Sequence, residues 1–301
     1  MAEIAIVMPV FNRERSVGAA IDSVLAQEFD DFELLIVDDG SRDGTVAAVR
    51  AYDDPRIRLI VQDVNRGGNA ARNRGVSEAT APLVAFIDSD DAFLPHKLGY
   101  LVTFFSERPE VDVLIDSFEL VYPPETGKSP APRLNPVLDG SPEIEQAIFD
   151  RRVFKATPAI SARRDAILRA GMFDETLKRR QDFDLMLRLT KVARCATTDA
   201  ILWTKQWSAD AISAKDDTFA AATIDLCRRH PQYLADPRFR PGLARDVARH
   251  FVRLGAKGAL GVAAADARRL GQEFGARTLA RLAAQGVVEI VRRKREKKAS
   301  R

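Results

Sequence analysis

Four short apolar runs near the start of the chain constrain its fold most: Ile4–Met8, Phe32–Val37, Ile57–Val61 and Leu83–Ile87. Each is too short for a helix and rich in branched or aromatic side chains, so each reads as a strand buried on both faces. Helical stripes lie between them. Val17, Ala20, Ile21, Val24 and Leu25 follow Ser16 at the spacing of a helix that packs one face on a sheet. Val46, Val49 and Tyr52 follow Gly44 and Thr45, and the turn cluster Asn65-Arg66-Gly67-Gly68-Asn69 feeds a third helix that ends near Glu78. Strands alternating with helices in this way predict a parallel, right-handed, doubly wound α/β sheet.

Beyond it the pattern predicts a helix over Pro95–Ser106 and a strand over Val111–Ile115. Tyr122–Pro142, with six prolines, reads as a surface excursion. Arg163–Ala170 is expected to be helical and to stop at Gly171, with Asp182–Thr190 a further helix and Ala200–Trp203 a last strand. From about Asp216 onward the pattern stays helical, so the expected division is residues 1–215 and a C-terminal helical region, 216–301, with a basic tail. Phe274–Ser300 joins an apolar stripe (Leu279, Leu282, Val287, Ile290, Val291) to the basic run Arg292–Lys298.

Charge divides the chain in the same way. Residues 1–120 hold 11 Lys/Arg against 22 Asp/Glu, and residues 121–301 hold 35 against 21. The acidic half repels a bare polyphosphate unless a metal intervenes, whereas the basic half suits an anionic partner. No apolar run reaches the roughly 18–20 residues of a membrane span, and the N-terminal residues lack the basic region and cleavage site of a secretory signal. Cys195 and Cys227, without metal-ligand spacing, are expected to be buried free thiols in a reducing cytoplasm.

The chemistry concentrates where strands end. Asn12-Arg13, Asp38-Asp39 and Asp88-Ser89-Asp90-Asp91 follow the first, second and fourth runs, and a parallel sheet brings such ends to one edge. Three carboxylates within four residues repel unless a cation sits among them. A hard divalent metal carrying a phosphorylated ligand answers that, and a solvated acidic turn is the alternative. Neither a phosphate loop nor a dinucleotide fingerprint is present.

Several segments resemble family 2 glycosyltransferases of the GT-A fold. They are Val7–Arg13, Ser23–Gln27, Ile36–Thr45, Asn65–Gly75, Phe86–Asp91 with Pro95, Gly171–Glu175 and Asp182–Arg188, in the family's order over residues 3–205. The resemblance implies an inverting, metal-dependent transfer of a sugar from a nucleotide diphosphate to an acceptor hydroxyl, in polysaccharide or glycoconjugate synthesis. It implies that Asp39 contacts the nucleobase, where the alternative is that Asp38 and Asp39 only make the turn. Pro9 and Phe11 would line the same pocket or serve in packing. Arg72 would reach the nucleotide or lie on a solvated helix face. Asp90 would bind Mn²⁺ or Mg²⁺, with Asp88 on the ribose or, through water, on the metal; Asp91 could instead cap the next helix. Asp182 would be the general base or cap its own helix; Asp184, two residues on, cannot share its helix face.

Two departures from the family stand out. Gln181 replaces a common glutamate, and no histidine lies between His96 and His230 to serve as a further metal ligand. The Gln-x-x-Arg-Trp motif of processive members is absent, so a single addition is implied. A nucleotide-sugar-binding protein without turnover is the alternative reading. The expected partners are a UDP, GDP or dTDP sugar and a saccharide or lipid-linked acceptor. Residues 274–301 either meet an anionic membrane from its cytoplasmic side or pack on their own domain. Nucleic acid is not expected, because no aromatic residues interleave the charges.

Overall fold

The computed structural model describes residues 2–154, 156–207 and 218–299, without the side chains of residues 293, 294 and 296–299. The chain divides into two compact units, residues 1–145 with 153–207, and residues 146–152 with 208–301. The boundary expected at residue 215 lies outside the described residues.

The first unit opens with β1 (Ile4–Val10), α1 (Val17–Leu25), β2 (Phe32–Asp38), α2 (Thr45–Arg50), β3 (Ile57–Val61), α3 (Gly68–Glu78) and β4 (Leu83–Phe86). It continues through β5 (Ala92–Phe93), α4 (Lys97–Glu107), β6 (Val113–Val121), β7 (Ala131–Arg133), β8 (Leu138–Asp139) and α5 (Ser141–Phe149). Then follow β9 (Ile160–Arg163), α6 (Arg164–Arg169), α7 (Gln181–Val192) and β10 (Cys195–Gln206). The sheet runs in the order β3-β2-β1-β4-β9-β6-β10-β5, with β7 on β6 and β8 on β10. β1 pairs in parallel with β2 and β4, and β2 with β3, as the alternation predicts.

Ile4 through Met8 are fully buried, which explains why the first run is apolar throughout. α3 lies against β1 at Gly75, where a Cβ would fall 2.4 Å from Val7 Cγ1. Only glycine lets the helix approach this closely, and the approach sets the height of α3 beside the strand ends.

β9 departs from the sequence reading. It enters antiparallel between β4 and β6, and its residues Ile-Ser-Ala-Arg carry too weak an apolar signal to show as a strand. The proline-rich excursion is partly strand, since β7 and β8 add to the sheet. Asn135 anchors it, donating Nδ2 to Asp116 O at 2.6 Å and accepting from Phe154 N at 2.7 Å. β6 and β10 are both longer than the expected Val111–Ile115 and Ala200–Trp203.

A buried polar pair lies inside this sheet. Lys97 Nζ, at the start of α4, meets Asp116 Oδ2 of β6 at 2.5 Å with both side chains fully buried. Trp203 Nε1 of β10 donates to Asp116 Oδ1 at 2.8 Å, and Lys97 donates also to Pro158 O at 3.0 Å. Burial pushes the Asp116 carboxyl up to about 6 against the pull of Lys97. Both cysteines are free and buried, as expected, and burial pushes the Cys195 thiol up to about 12.

The second unit contains α8 (Phe219–Arg229), α9 (Gln232–Ala235), α10 (Arg240–Ala256), α11 (Leu260–Phe274) and α12 (Ala276–Ala299). The end of α5 belongs to it, because Phe149 stacks on Phe239 at 4.3 Å and contacts Tyr233 at 4.9 Å. His250 Nε2 and Asp266 Oδ2 lie 2.7 Å apart beneath the Phe219 ring. α10 and α12 meet at Gly286, where a Cβ would lie 2.0 Å from Ala244 O. This contact splits the expected apolar stripe: Leu282 is fully buried, whereas Val287 and Val291 are exposed, as is Val288 beside them. Of the basic run, the side chains of Arg293, Lys294, Lys297 and Lys298 lie outside the described residues.

Candidate active site

The loops after β1 and β2 are stitched together by short polar side chains. Asn12 takes a left-handed backbone conformation (φ 51°); its N–H donates to Ser41 Oγ at 2.9 Å and its Oδ1 accepts from Arg42 N at 2.9 Å. Arg13 N donates to Thr45 Oγ1 at 2.7 Å. The Asp39 N–H bonds to Val10 O at 2.9 Å, which puts Asp39 beside Pro9, half-buried, and Phe11, exposed.

Asp38 and Asp39 have different surroundings. Asp38 makes the turn, accepting from Ser41 N on Oδ2 at 2.9 Å, while its buried Oδ1 has no hydrogen-bond partner. Asp39 holds the loop before α3: Oδ1 accepts from Gln62 Nε2 (2.9 Å) and Arg66 N (2.8 Å), and Oδ2 from Gly67 N (2.7 Å). A carboxylate has about four acceptor directions, so one at Oδ2 is left for a ligand N–H.

The acidic turn closes on itself through Asp91 N to Asp88 O at 3.1 Å. Its three carboxylates have three different fates. Asp88 Oδ1 accepts from Arg72 Nη2 at 2.6 Å. Burial works against ionisation of Asp88, but the Arg72 and Lys205 charges outweigh it and hold the carboxyl below its ordinary value. Asp91 is 3% exposed and caps no helix. It accepts from Gln206 N at 3.1 Å and pairs with Lys205 Nζ at 3.4 Å, tying the turn to the end of β10. Burial pushes it up to about 8, with Lys205 opposing and Asp88 and Asp90 reinforcing. Asp90 is exposed.

Arg72 is buried, so the solvated-face alternative fails for it. Its guanidinium also lies 5.6 Å from the centroid of the Phe173 ring, and Phe173 meets Phe86 of β4 edge-on at 5.2 Å. The segment after α6 is thereby tied to the acidic turn. Two asparagines of α3 hold it in place. Asn73 exchanges two 2.9 Å bonds with the Phe173 backbone, and Asn69 Nδ2 donates to Asp174 O and Leu177 O, both at 2.8 Å. α7 starts four residues after Leu177. Asp182 is half-buried in its first turn and accepts from Phe183 N at 2.7 Å. Asp184 points the other way, 1% exposed and paired with Arg188 through bonds of 2.9 and 2.7 Å.

A hard cation here would have to share its coordination with groups outside the chain. Among the described residues no group of three or more His, Cys, Asp or Glu side chains could hold a metal alone. Asp90, with the second oxygen of Asp88, supplies two carboxylates. That donor set fits Mg²⁺ or Mn²⁺, which keep waters and share their coordination with a substrate diphosphate.

Sequence reasoning missed Lys205 and the asparagine ties of α3. Lys205 carries no motif of its own; its one signal is that it follows Trp203 by two on a strand and so shares its face.

The family model described as "Glycosyl transferase family 2" matches residues 5–170. The chain is 32% identical over 118 residues to UDP-Glc:alpha-D-GlcNAc-diphosphoundecaprenol beta-1,3-glucosyltransferase WfgD of Escherichia coli, covering 39% of this chain and 46% of that one. It is 30% identical over 188 residues to the putative colanic acid biosynthesis glycosyl transferase WcaA of Escherichia coli K12, covering 62% and 65%. These stretches are less than two thirds of either relative's length. Among solved structures, S. aureus TarS 1–349 in complex with UDP-GlcNAc superposes with a TM-score of 0.71 at 19% identity, covering 96% of this chain and 89% of that one. The mannosyltransferase PcManGT from Pyrobaculum calidifontis, in complex with GDP-Man and Mn2+, gives 0.56 at 18% identity, covering 96% and 86%. With a family match over more than half its length, on a mixed α/β sheet shared with these enzymes, the chain belongs to glycosyl transferase family 2.

Proposed function

We propose that the protein is an inverting glycosyltransferase that adds one sugar from a nucleoside-diphosphate donor to an acceptor hydroxyl in polysaccharide or glycoconjugate synthesis. The observation that carries this reading is the Asp88–Arg72–Phe173 chain of contacts. It joins an acidic strand end to the segment leading into Asp182, which supports adjoining places for a donor and an acceptor.

Asp39 takes the N–H edge of the base through its spare acceptor direction, with Pro9 and Phe11 beside it. Arg72 and Asp88 face the ribose and phosphates. Asp90 and Asp88 hold the divalent cation, which when bound neutralises charge on the leaving diphosphate. Asp182 takes the acceptor's hydroxyl proton as that oxygen attacks the anomeric carbon opposite the diphosphate, which inverts the configuration. Asp184 is committed to Arg188, so the step is assigned to Asp182, which also accepts from Phe183 N. General-base assistance is typically worth ~10²–10⁴ in rate.

UDP-GlcNAc in TarS and GDP-Man in PcManGT support a nucleotide-sugar donor without choosing its base. The diphosphoundecaprenol acceptor in the name of WfgD supports a lipid-linked acceptor. No helix among the described residues is long and apolar enough to cross a membrane. Attachment to a membrane's cytoplasmic face would therefore rest on the exposed valines and arginines of α12.

Asp90→Ala is expected to lose metal-dependent turnover. Asp182→Asn should keep donor binding while turnover falls about 10²–10⁴-fold. Full activity in both variants would sink the assignment. Donor binding by the wild type with no turnover on any acceptor would favour the binding-protein alternative, for which Gln181 is the motivating departure.

A further inference from the structure

Two cationic side chains beside the acidic turn are incompletely bonded by it. Arg72 is 7% exposed and spends Nη2 on Asp88, yet its buried Nε has no hydrogen-bond partner. Lys205 lies 3.4 Å from Asp91 Oδ2, beyond the 2.7–2.9 Å of a well-made ammonium–carboxylate bond. When Lys205 moves, Asp91 keeps the hydrogen bond that its other oxygen accepts from Gln206 N. The charges of Asp88 and Asp90 also act on Lys205, and that of Arg13 on Asp88. A loosely held ammonium thus lies beside the turn where a donor's phosphates would meet Asp88 and Asp90.

We propose that Lys205 binds the donor's diphosphate directly, leaving Asp91 for a phosphate oxygen when the donor enters. This rests on the donor site described above and deepens it. Lysine has three donors and no acceptor, so it cannot ligate a cation and serves the phosphates as a point charge. β5 keeps it in reach, since Ala92 and Phe93, directly after the acidic turn, pair with Thr204 and Trp203. Part of the charge compensation is therefore built into the chain, and nucleoside-diphosphate binding should persist, weakened, without a divalent metal.

Calorimetric titration of the full chain with UDP, GDP, UMP and GMP, in EDTA and in Mn²⁺, tests this on wild type, Lys205→Met and Lys205→Arg. Lys205→Met should weaken nucleoside-diphosphate binding by about tenfold or more in EDTA and by less in Mn²⁺. Monophosphate binding should change less, and Lys205→Arg should recover most of the loss. Melting curves of the variants check that each is folded. Equal UDP and GDP affinities in wild type and Lys205→Met in EDTA overturn the proposal, as does an equal loss for mono- and diphosphates. Wild type that binds only with Mn²⁺ overturns it too while leaving the donor site in place. Wild type that binds neither diphosphate even with Mn²⁺ overturns the donor site and this proposal with it.

Discussion

Replacing Lys97 with methionine strands Asp116. In the wild type the carboxylate has Lys97 Nζ on Oδ2 and Trp203 Nε1 on Oδ1, with both members of the ion pair fully buried. Methionine fills a similar volume but leaves Oδ2 with no cation. Removing one partner of a buried pair typically costs ~3–5 kcal/mol, because the remaining charge keeps its desolvation penalty and loses its compensation. At roughly 2–4 °C per kcal/mol for a unit of this size, the melting temperature should fall by about 6–20 °C. The loss should also depend on pH. Burial already pushes Asp116 up to about 6 with Lys97 pulling the other way, so without Lys97 it titrates higher still. A carboxyl whose folded pKa exceeds its unfolded value binds more protons when folded, and stability falls as pH rises through that window. The deficit of the variant should therefore be larger at about pH 8 than at about pH 5, measured by urea denaturation at both. Lys97→Met/Asp116→Asn should recover part of it, since the amide can still accept from Trp203 without a stranded charge. A loss under about 1 kcal/mol at both pH values, or a deficit that grows toward acid, would refute the reasoning.

Asn73→Ala removes both bonds to the Phe173 backbone and the 3.1 Å bond to Glu175, so stability should fall by ~1–3 kcal/mol. If that tie places Asp182, kcat should drop while donor affinity measured by calorimetry stays; unchanged kcat would separate the tie from the chemistry. Membrane attachment through α12 is testable by Val287→Ser, Val288→Ser and Val291→Ser together, all exposed, whereas deleting the helix would unpack Leu282 and Gly286. At upwards of about 1 kcal/mol per valine, the triple variant should leave sedimented anionic vesicles roughly a hundredfold more readily. Equal sedimentation of the two proteins would reject attachment through this face.

The first four strands and their helices were legible because each depends on residues close in sequence. A buried parallel strand must be apolar along its length, and a helix on its face must repeat with the helical period. The same logic brought Asp39, Asp88 and Asp90 to one edge. What local periodicity does not encode is pairing between distant segments. β9 is four residues, one of them a buried serine, and is a strand because β4 and β6 offer it two edges. β7 and β8 became strands inside a proline-rich stretch for the same reason. Residues 146–152 joined the C-terminal helices through aromatic stacking on Phe149, which no local pattern announces. α12 showed an apolar stripe in sequence, but its close contact with α10 at Gly286 chose which side to bury and left three valines outside. Charge followed the same division. That three carboxylates follow the fourth apolar run is legible in the chain alone. Tertiary structure decided that Arg72 takes one, that Gln206 and Lys205 take another, and that Asp90 stays exposed, because burial and the nearest cation set each group's state.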